Sequence, residues 1–149
     1  MMTEHSLVSP KNKDFLHLVG ELNKTLLSIT NDSGESSFSY ETFCDKTERC
    51  IVLYKEGRPV ACACIRYLSE EKCELKRMYS NYKGSGSEIL MIAESLAREI
   101  GYNFIVLSTR IVNKKAIDFY SRNGYSEIAR YGKYSKGNQS ICMGKSLIE

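Results

Sequence analysis

The sequence lacks the features that would place it in a membrane, in an exported scaffold or on a nucleic acid. No apolar run among its 149 residues approaches the roughly 20 needed to span a bilayer. The first residues carry no signal-peptide core, so the cytoplasm is the expected location. A net charge of +3 is too mild to argue for nucleic acid as a partner. There is no Cys-x-x-Cys, and the two histidines, His5 and His17, are remote from every cysteine, so no metal site is expected. The six cysteines do not suggest a disulfide framework either. Cys62 and Cys64 fall two apart in a strand, share a face and cannot comfortably bridge each other. Reduced, mostly buried thiols are the expectation. Gly-x-x-x-x-Gly-Lys-Ser/Thr is also absent, which argues against a nucleotide-binding P-loop. With no repeats, low-complexity tracts or internal linkers, residues 1–149 read as one domain, 42% hydrophobic and 26% charged.

What is present centres on Cys73 to Ser87 and the segment that follows. Cys73 to Tyr79 alternates as a strand, with Cys73, Leu75, Arg77 and Tyr79 on one face and Glu74, Lys76 and Met78 on the other. A polar loop containing Gly84 and Gly86 comes next. Ile89, Leu90, Ile92, Ala93, Leu96, Ala97 and Ile100 then recur at helical spacing, and Gly101 stops the helix. Strand, glycine loop and helix start together suit a diphosphate, because amides at a helix N-terminus carry partial positive charge and glycines let an anion approach. Lys83 adds a cation. An ordinary turn capped by Ser85, with Glu88 completing a capping box, fits the loop alone equally well.

Upstream, Glu4 to Ser9 reads as a short strand and Ser9-Pro10 as a helix start, with Pro10 at the first helical position. Phe15, Leu18, Val19, Leu22 and Leu26 form an apolar stripe to about Ile29. His17 and Glu21 beside that stripe face either a cleft or solvent, solvent being the commoner outcome. Thr30 to Ser37 reads as a loop, followed by Phe38, Tyr40 and Phe43 on a short helix. Phe38 and Phe43 are expected to pack, while Tyr40 is left open. Cys50–Tyr54 and Pro59–Leu68 form a hairpin through Glu56-Gly57. Phe104–Leu107 suits a strand covered on both faces and reached by a strand–helix–strand crossover. Asn113 caps a second helix that ends at Gly124. Tyr125–Arg130 and Ser140–Lys145 close the chain as a hairpin around Gly132 and Gly137.

Glu74-Leu75-Lys76-Arg77-Met78-Tyr79, Gly84-Ser85-Gly86, and Asn113 through Tyr125 with Tyr120 on the second helix, taken in that order, resemble the GNAT superfamily of acetyl-CoA-dependent N-acetyltransferases. The resemblance is close from Glu74 to Tyr125 and loose from Phe15 to Leu147. It implies an α/β (α+β) fold: one GNAT-like domain with a mixed, mostly antiparallel sheet and helices on both faces. It also implies acetyl-CoA as co-substrate, a small-molecule or peptide amine as acceptor, and a homodimer as one assembly state. In the family the region around Tyr40 lies over the acceptor. Amino acid, polyamine, aminoglycoside and protein amines all fit what can be read of the acceptor.

The resemblance assigns cofactor binding to Met78, Tyr79 and Ser80 at the strand end, to Asn81, Lys83, Gly84, Ser85, Gly86 and Ser87 in the loop, and to Asn113 and Tyr120. Tyr120 matches the general acid, whose phenol, with pKa about 10, needs help from its environment to protonate a thiolate of pKa near 8.5. A packed tyrosine that only hydrogen-bonds the cofactor is the alternative. Glu74 matches an acidic residue that serves as base directly or through water. It could instead pair with Lys76 or Arg77. The loop departs from the family's pattern. A register anchored on Ile89-Leu90 places Asn81 at an opening position usually held by Arg or Gln, and Gly86 at the closing one, after a shortened link. The other register puts Glu88 at the closing position. The short loop suggests weaker diphosphate binding, with Glu88 a possible competitor for loop amides. A module that holds an acyl-CoA without turnover is therefore the alternative function.

Overall fold

The computed structural model describes residues 2–33 and 41–148. Phe38 and Tyr40, and the second half of the loop expected before them, lie outside the described residues. In chain order the elements are β1 (Thr3–Val8), α1 (Lys13–Thr30), β2 (Arg49–Lys55), β3 (Arg58–Tyr67), β4 (Lys72–Ser80), α2 (Ser85–Ile100), β5 (Phe104–Arg110), α3 (Lys114–Arg122), β6 (Ser126–Ile128), a 3₁₀ turn (Gly132–Lys136) and β7 (Ser140–Ser146). The strands form one sheet in the order β1-β2-β3-β4-β5-β7-β6. Every neighbouring pair is antiparallel except β4 and β5, which the α2 crossover makes parallel. The mixed, mostly antiparallel sheet with helices on both faces is as the sequence implies.

Strand alternation divides the core between the two faces. Cys50, Val52, Cys62 and Cys64 meet Phe15, Leu18 and Val19 of α1 on one side. Ile51, Leu53, Ala61, Ala63 and Ile65 meet Ile89, Leu90, Ala93 and Ala97 of α2 on the other. Ile117, Phe119 and Tyr120 of α3 pack against that second cluster. The β2–β3 turn has positive φ at both Glu56 (52°) and Gly57 (79°), as a two-residue type I′ hairpin requires.

Three local expectations are corrected. Helix α1 starts at Lys13, not at Pro10, because the Asn12 side chain accepts from the amides of both Asp14 and Phe15. Ser9 and Pro10 belong to the preceding turn, closed by the Asn12 amide on the Ser9 carbonyl at 2.9 Å. Phe43 lies in irregular chain rather than on a helix, half-buried against the α1-side cluster. The third correction concerns β4. Cys73 and Leu75 face α2, but Arg77 and Tyr79 do not follow them. Arg77 has φ 52°, and the β3–β4 register shifts between Cys62 and Cys64. This bulge inserts one residue and reverses the alternation. Met78 then joins Leu75 on the α2 side, and Tyr79 packs on the α1 side.

All six cysteines are free, Cys44 exposed and the other five buried. Titration with a thiol reagent should therefore count one fast-reacting group in the native protein and all six after denaturation without reductant. A denatured count of four or fewer would contradict this arrangement.

Candidate active site

The parallel pairing of β4 with β5 is short. It runs from Lys72–Phe104 to Glu74–Val106 and stops. Beyond that point β4 stays with β3 as far as Ser80, and β5 stays with β7 as far as Arg110. The two strands diverge, so among the described residues the facing backbone edges have no strand partner there. A cavity of about 500 Å³ opens at the divergence. Leu22 and Leu26 of α1 form part of its wall, with Glu74 and Met78 of β4 and Asn113 and Tyr120 at the start and middle of α3.

Glu74 is buried, and its Oε2 accepts from the Tyr131 hydroxyl at 2.7 Å. Its Oε1 lies 3.7 Å from the Lys76 ammonium. Burial pushes the Lys76 pKa below its usual value, with Glu74 acting against that shift. Burial first, and then the neighbouring Glu74 charge, hold the Tyr131 phenol far above its ordinary pKa. The Lys76 ammonium also donates to the Tyr134 hydroxyl at 3.4 Å. Glu74 thus has both a tyrosine and a lysine partner, while Arg77 bonds elsewhere, to Asn23 of α1 and to the Ser33 carbonyl.

Tyr120 is half-buried between Phe119 and Tyr125, with ring centroids 5.3 and 5.6 Å away. Its hydroxyl donates to the thioether sulfur of Met78 at 3.5 Å. Sulfur is a weak acceptor, so this donor is held where a stronger one could displace it. Burial raises the Tyr120 pKa well above 10. Asn113 caps α3, its Oδ1 accepting from the Ala116 amide at 3.3 Å.

The glycine loop lies outside the lining of this cavity, beyond the end of β4. The Asn81 amide is tied to the Val60 carbonyl at 2.9 Å, and the Ser85 hydroxyl donates to the Tyr82 carbonyl at 2.6 Å. Gly84, not Ser85, is the cap of α2. It has φ 85°, and no side chain caps the helix. Glu88 completes no capping box and does not turn back on the loop, because its carboxylate accepts from the Thr3 hydroxyl on β1. Among the described residues, nothing accepts from the amides of Lys83, Gly84, Gly86 and Ser87. A cradle of open amides with no competing carboxylate fits an anionic diphosphate. Gly86 faces inward. A Cβ there would come within 3.0 Å of Ser80 Oγ and 3.3 Å of the Phe119 ring. The first turn of α2 is thereby pressed onto the end of β4 and onto the residue preceding Tyr120.

The structure thus brings Glu74, Met78, Asn113 and Tyr120 together around one cavity. It places Asn81, Lys83 and Gly84 exposed in the loop, Ser85 and Gly86 buried, and Ser87 half-buried. Ser80 lies beneath Gly86. The Tyr79 ring is on the opposite face of the sheet, so only its backbone can serve the α3 side. His17 is exposed and away from the cavity lining. The sequence reading missed Tyr131 and Tyr134, whose rings meet at 5.5 Å. Three residues apart around Gly132, they had only the spacing of one tight turn to mark them. Among the described residues no group of three or more His, Cys, Asp or Glu is placed to hold a metal ion. No described helix is long and apolar enough to cross a membrane.

Comparison with known proteins agrees with this geometry. The model of the acetyltransferase (GNAT) family matches residues 19–125, which include Glu74, the Met78–Ser87 stretch, Asn113 and Tyr120 but not Tyr131 and Tyr134. An IAA acetyltransferase of Azospirillum brasilense is 25% identical over 144 residues, covering 93% of this chain and 94% of that protein. A Klebsiella pneumoniae protein assigned as an acyl-CoA N-acyltransferase superposes with a TM-score of 0.83 at 24% identity, covering 99% of both chains. The PaiA N-acetyltransferase of Thermoplasma acidophilum, solved with coenzyme A, gives 0.72 at 16% identity over 98% of this chain and 99% of its own. The two structures are alike in fold, and the family model covers most of the chain. The chain belongs to the GNAT acetyltransferase family and is an acyltransferase.

Proposed function

We propose that the protein transfers an acetyl group from acetyl-CoA to a primary amine of a small molecule or peptide, by direct attack while both are bound. The observation that carries this reading is the divergence of β4 from β5. It opens a cavity with a carboxylate, Glu74, and a weakly bonded phenol, Tyr120, on its walls. When bound, acetyl-CoA supplies the activated thioester. The open amides of Lys83, Gly84, Gly86 and Ser87 hold its diphosphate, with Lys83 as nearby cation and Asn81 exposed at the loop entrance. Backbone groups from Met78 to Ser80, left without a strand partner toward β5, bind the arm and the carbonyl oxygen, which stabilises the charge that develops there. Asn113 contacts the cofactor while capping α3.

Glu74 removes a proton from the incoming ammonium, directly or through water, and Tyr120 returns one to the departing sulfur. The Tyr131 hydroxyl on Glu74 fixes the orientation of the carboxylate. Replacing Glu74 by Gln keeps the shape and the Tyr131 contact. It should lower kcat by about a hundredfold, the usual scale for losing a positioned base. Initial rates with a saturating amine check this, and near-native turnover would show that Glu74 only orders the cavity wall.

The function itself is tested by incubating the protein with acetyl-CoA and a panel of amino acids, polyamines, aminoglycosides and peptides. Amine-dependent release of CoA thiol, with the acetylated amine identified by mass spectrometry, is the expected result. Tight acetyl-CoA binding with no amine-dependent release across the panel would favour an acyl-CoA-binding module, the reading to which the short loop and Asn81 lend some support.

A further inference from the structure

The cavity carries an amine of its own. Lys76 lines it together with Glu74 and Tyr120, and its side chain is only 15% exposed. Its nitrogen lies 3.7 Å from Glu74 Oε1 and 3.4 Å from the Tyr134 hydroxyl, with the Tyr134 ring centroid 6.0 Å away. These are the surroundings that the proposed reaction requires of an acceptor. A carboxylate is in reach of the nitrogen, an aromatic wall lies beside it, and there is little water to hold it as the ammonium. Burial already shifts Lys76 toward the neutral, nucleophilic form. Lys76 and an external acceptor are the same functional group, a primary alkylamine.

We infer that Lys76 is a self-acetylation site, modified from acetyl-CoA when no external amine occupies the cavity. The inference rests on the acetyl-transfer reading above. The neutral Lys76 nitrogen attacks the acetyl carbonyl carbon, the carbon–sulfur bond breaks, and an amide forms. The proton lost from nitrogen balances the one gained by sulfur, so the products are Nε-acetyl-Lys76 and CoA thiol. The amide is inert, so it is an end product and not a carrier of the acetyl group. It also removes the cation opposite Glu74 and adds bulk beside it. Modified protein should therefore accept external amines poorly, and self-acetylation would shut the enzyme down when acetyl-CoA is plentiful and acceptor is scarce.

The test is incubation of the purified protein with acetyl-CoA alone, followed by peptide mapping over time, with calorimetry of acetyl-CoA binding on the same preparation. Lys76 is expected to gain acetyl at least about tenfold faster than the exposed Lys13, Lys114 and Lys115, which report uncatalysed chemistry. Lys76→Arg should abolish the fast phase. If that variant does not fold, site mapping on the unaltered chain decides alone. Acetyl-CoA that binds without modifying Lys76, or that modifies it no faster than the exposed lysines, overturns the inference and leaves the transfer reading intact. Failure of acetyl-CoA to bind at all overturns both.

Discussion

Tyr120→Phe should lower kcat by about a hundredfold or more and leave the protein folded. The substitution removes one oxygen and keeps a ring packed between Phe119 and Tyr125. Among the described residues the hydroxyl it removes donates only to the Met78 sulfur, a weak partner, so stability should change by well under about 1 kcal/mol. Acetyl-CoA affinity should fall by no more than about fivefold, since one neutral hydrogen bond contributes about 1 kcal/mol. The raised pKa of Tyr120 bears on how the acid works. A phenol above 10 gives its proton to a thiolate in water only uphill, but the desolvation that raises the phenol raises the thiol as well. In a dry cavity the two are closer matched, and the hydroxyl is already protonated across the physiological range. Near-native kcat, with chemistry shown to be rate-limiting, would mean that Tyr120 is a packing residue that only contacts the cofactor.

The second large effect is expected at the loop. Ser87→Glu should weaken acetyl-CoA binding by at least about a hundredfold, roughly 2.7 kcal/mol, without lowering Tm. A glutamate at this third position of α2 complements the helix N-terminus and stabilises it by about 0.3–1 kcal/mol. The same carboxylate takes up the open amides and repels a diphosphate. Opposite signs on stability and on binding make the result specific to anion recognition. Gly86→Glu lacks that advantage. Its Cβ would meet Ser80 and Phe119, so lost binding there could not be told apart from a displaced helix. Unchanged affinity in a folded Ser87→Glu protein would remove the loop from the site.

The parts of this architecture that rest on local pattern were legible in the sequence. The helical spacing from Ile89 to Ile100, the Asn113 cap and the Glu56-Gly57 hairpin each depend on neighbours within a few residues, and each forms as read. What was missed depends on competition or on distance. Ser9-Pro10 is a good helix start by type, but Asn12 captures two amides and sets the start later. The bulge at Arg77 has no local signature, because an arginine at positive φ announces nothing in a sequence. One inserted residue then reversed the faces expected for Arg77 and Tyr79 against Cys73 and Leu75. Glu88, which the loop alone allows in a capping box, is drawn away by Thr3, which is 85 residues distant in the chain. The tyrosine partner of Glu74 was hidden for the same reason, since Tyr131 lies 57 residues further on, whereas the lysine partner, Lys76, is two residues away and was legible.

Two-substrate kinetics test the central claim, transfer within one cavity that holds both reactants, most directly. With the best amine from the panel, initial rates measured against acetyl-CoA at several fixed amine concentrations should give intersecting double-reciprocal lines. That pattern is the mark of attack in a ternary complex. Parallel lines would mean that the acetyl group first moves to the protein, contradicting direct transfer between β4 and β5. CoA release that continues beyond one equivalent of protein at a rate independent of amine would contradict it as well.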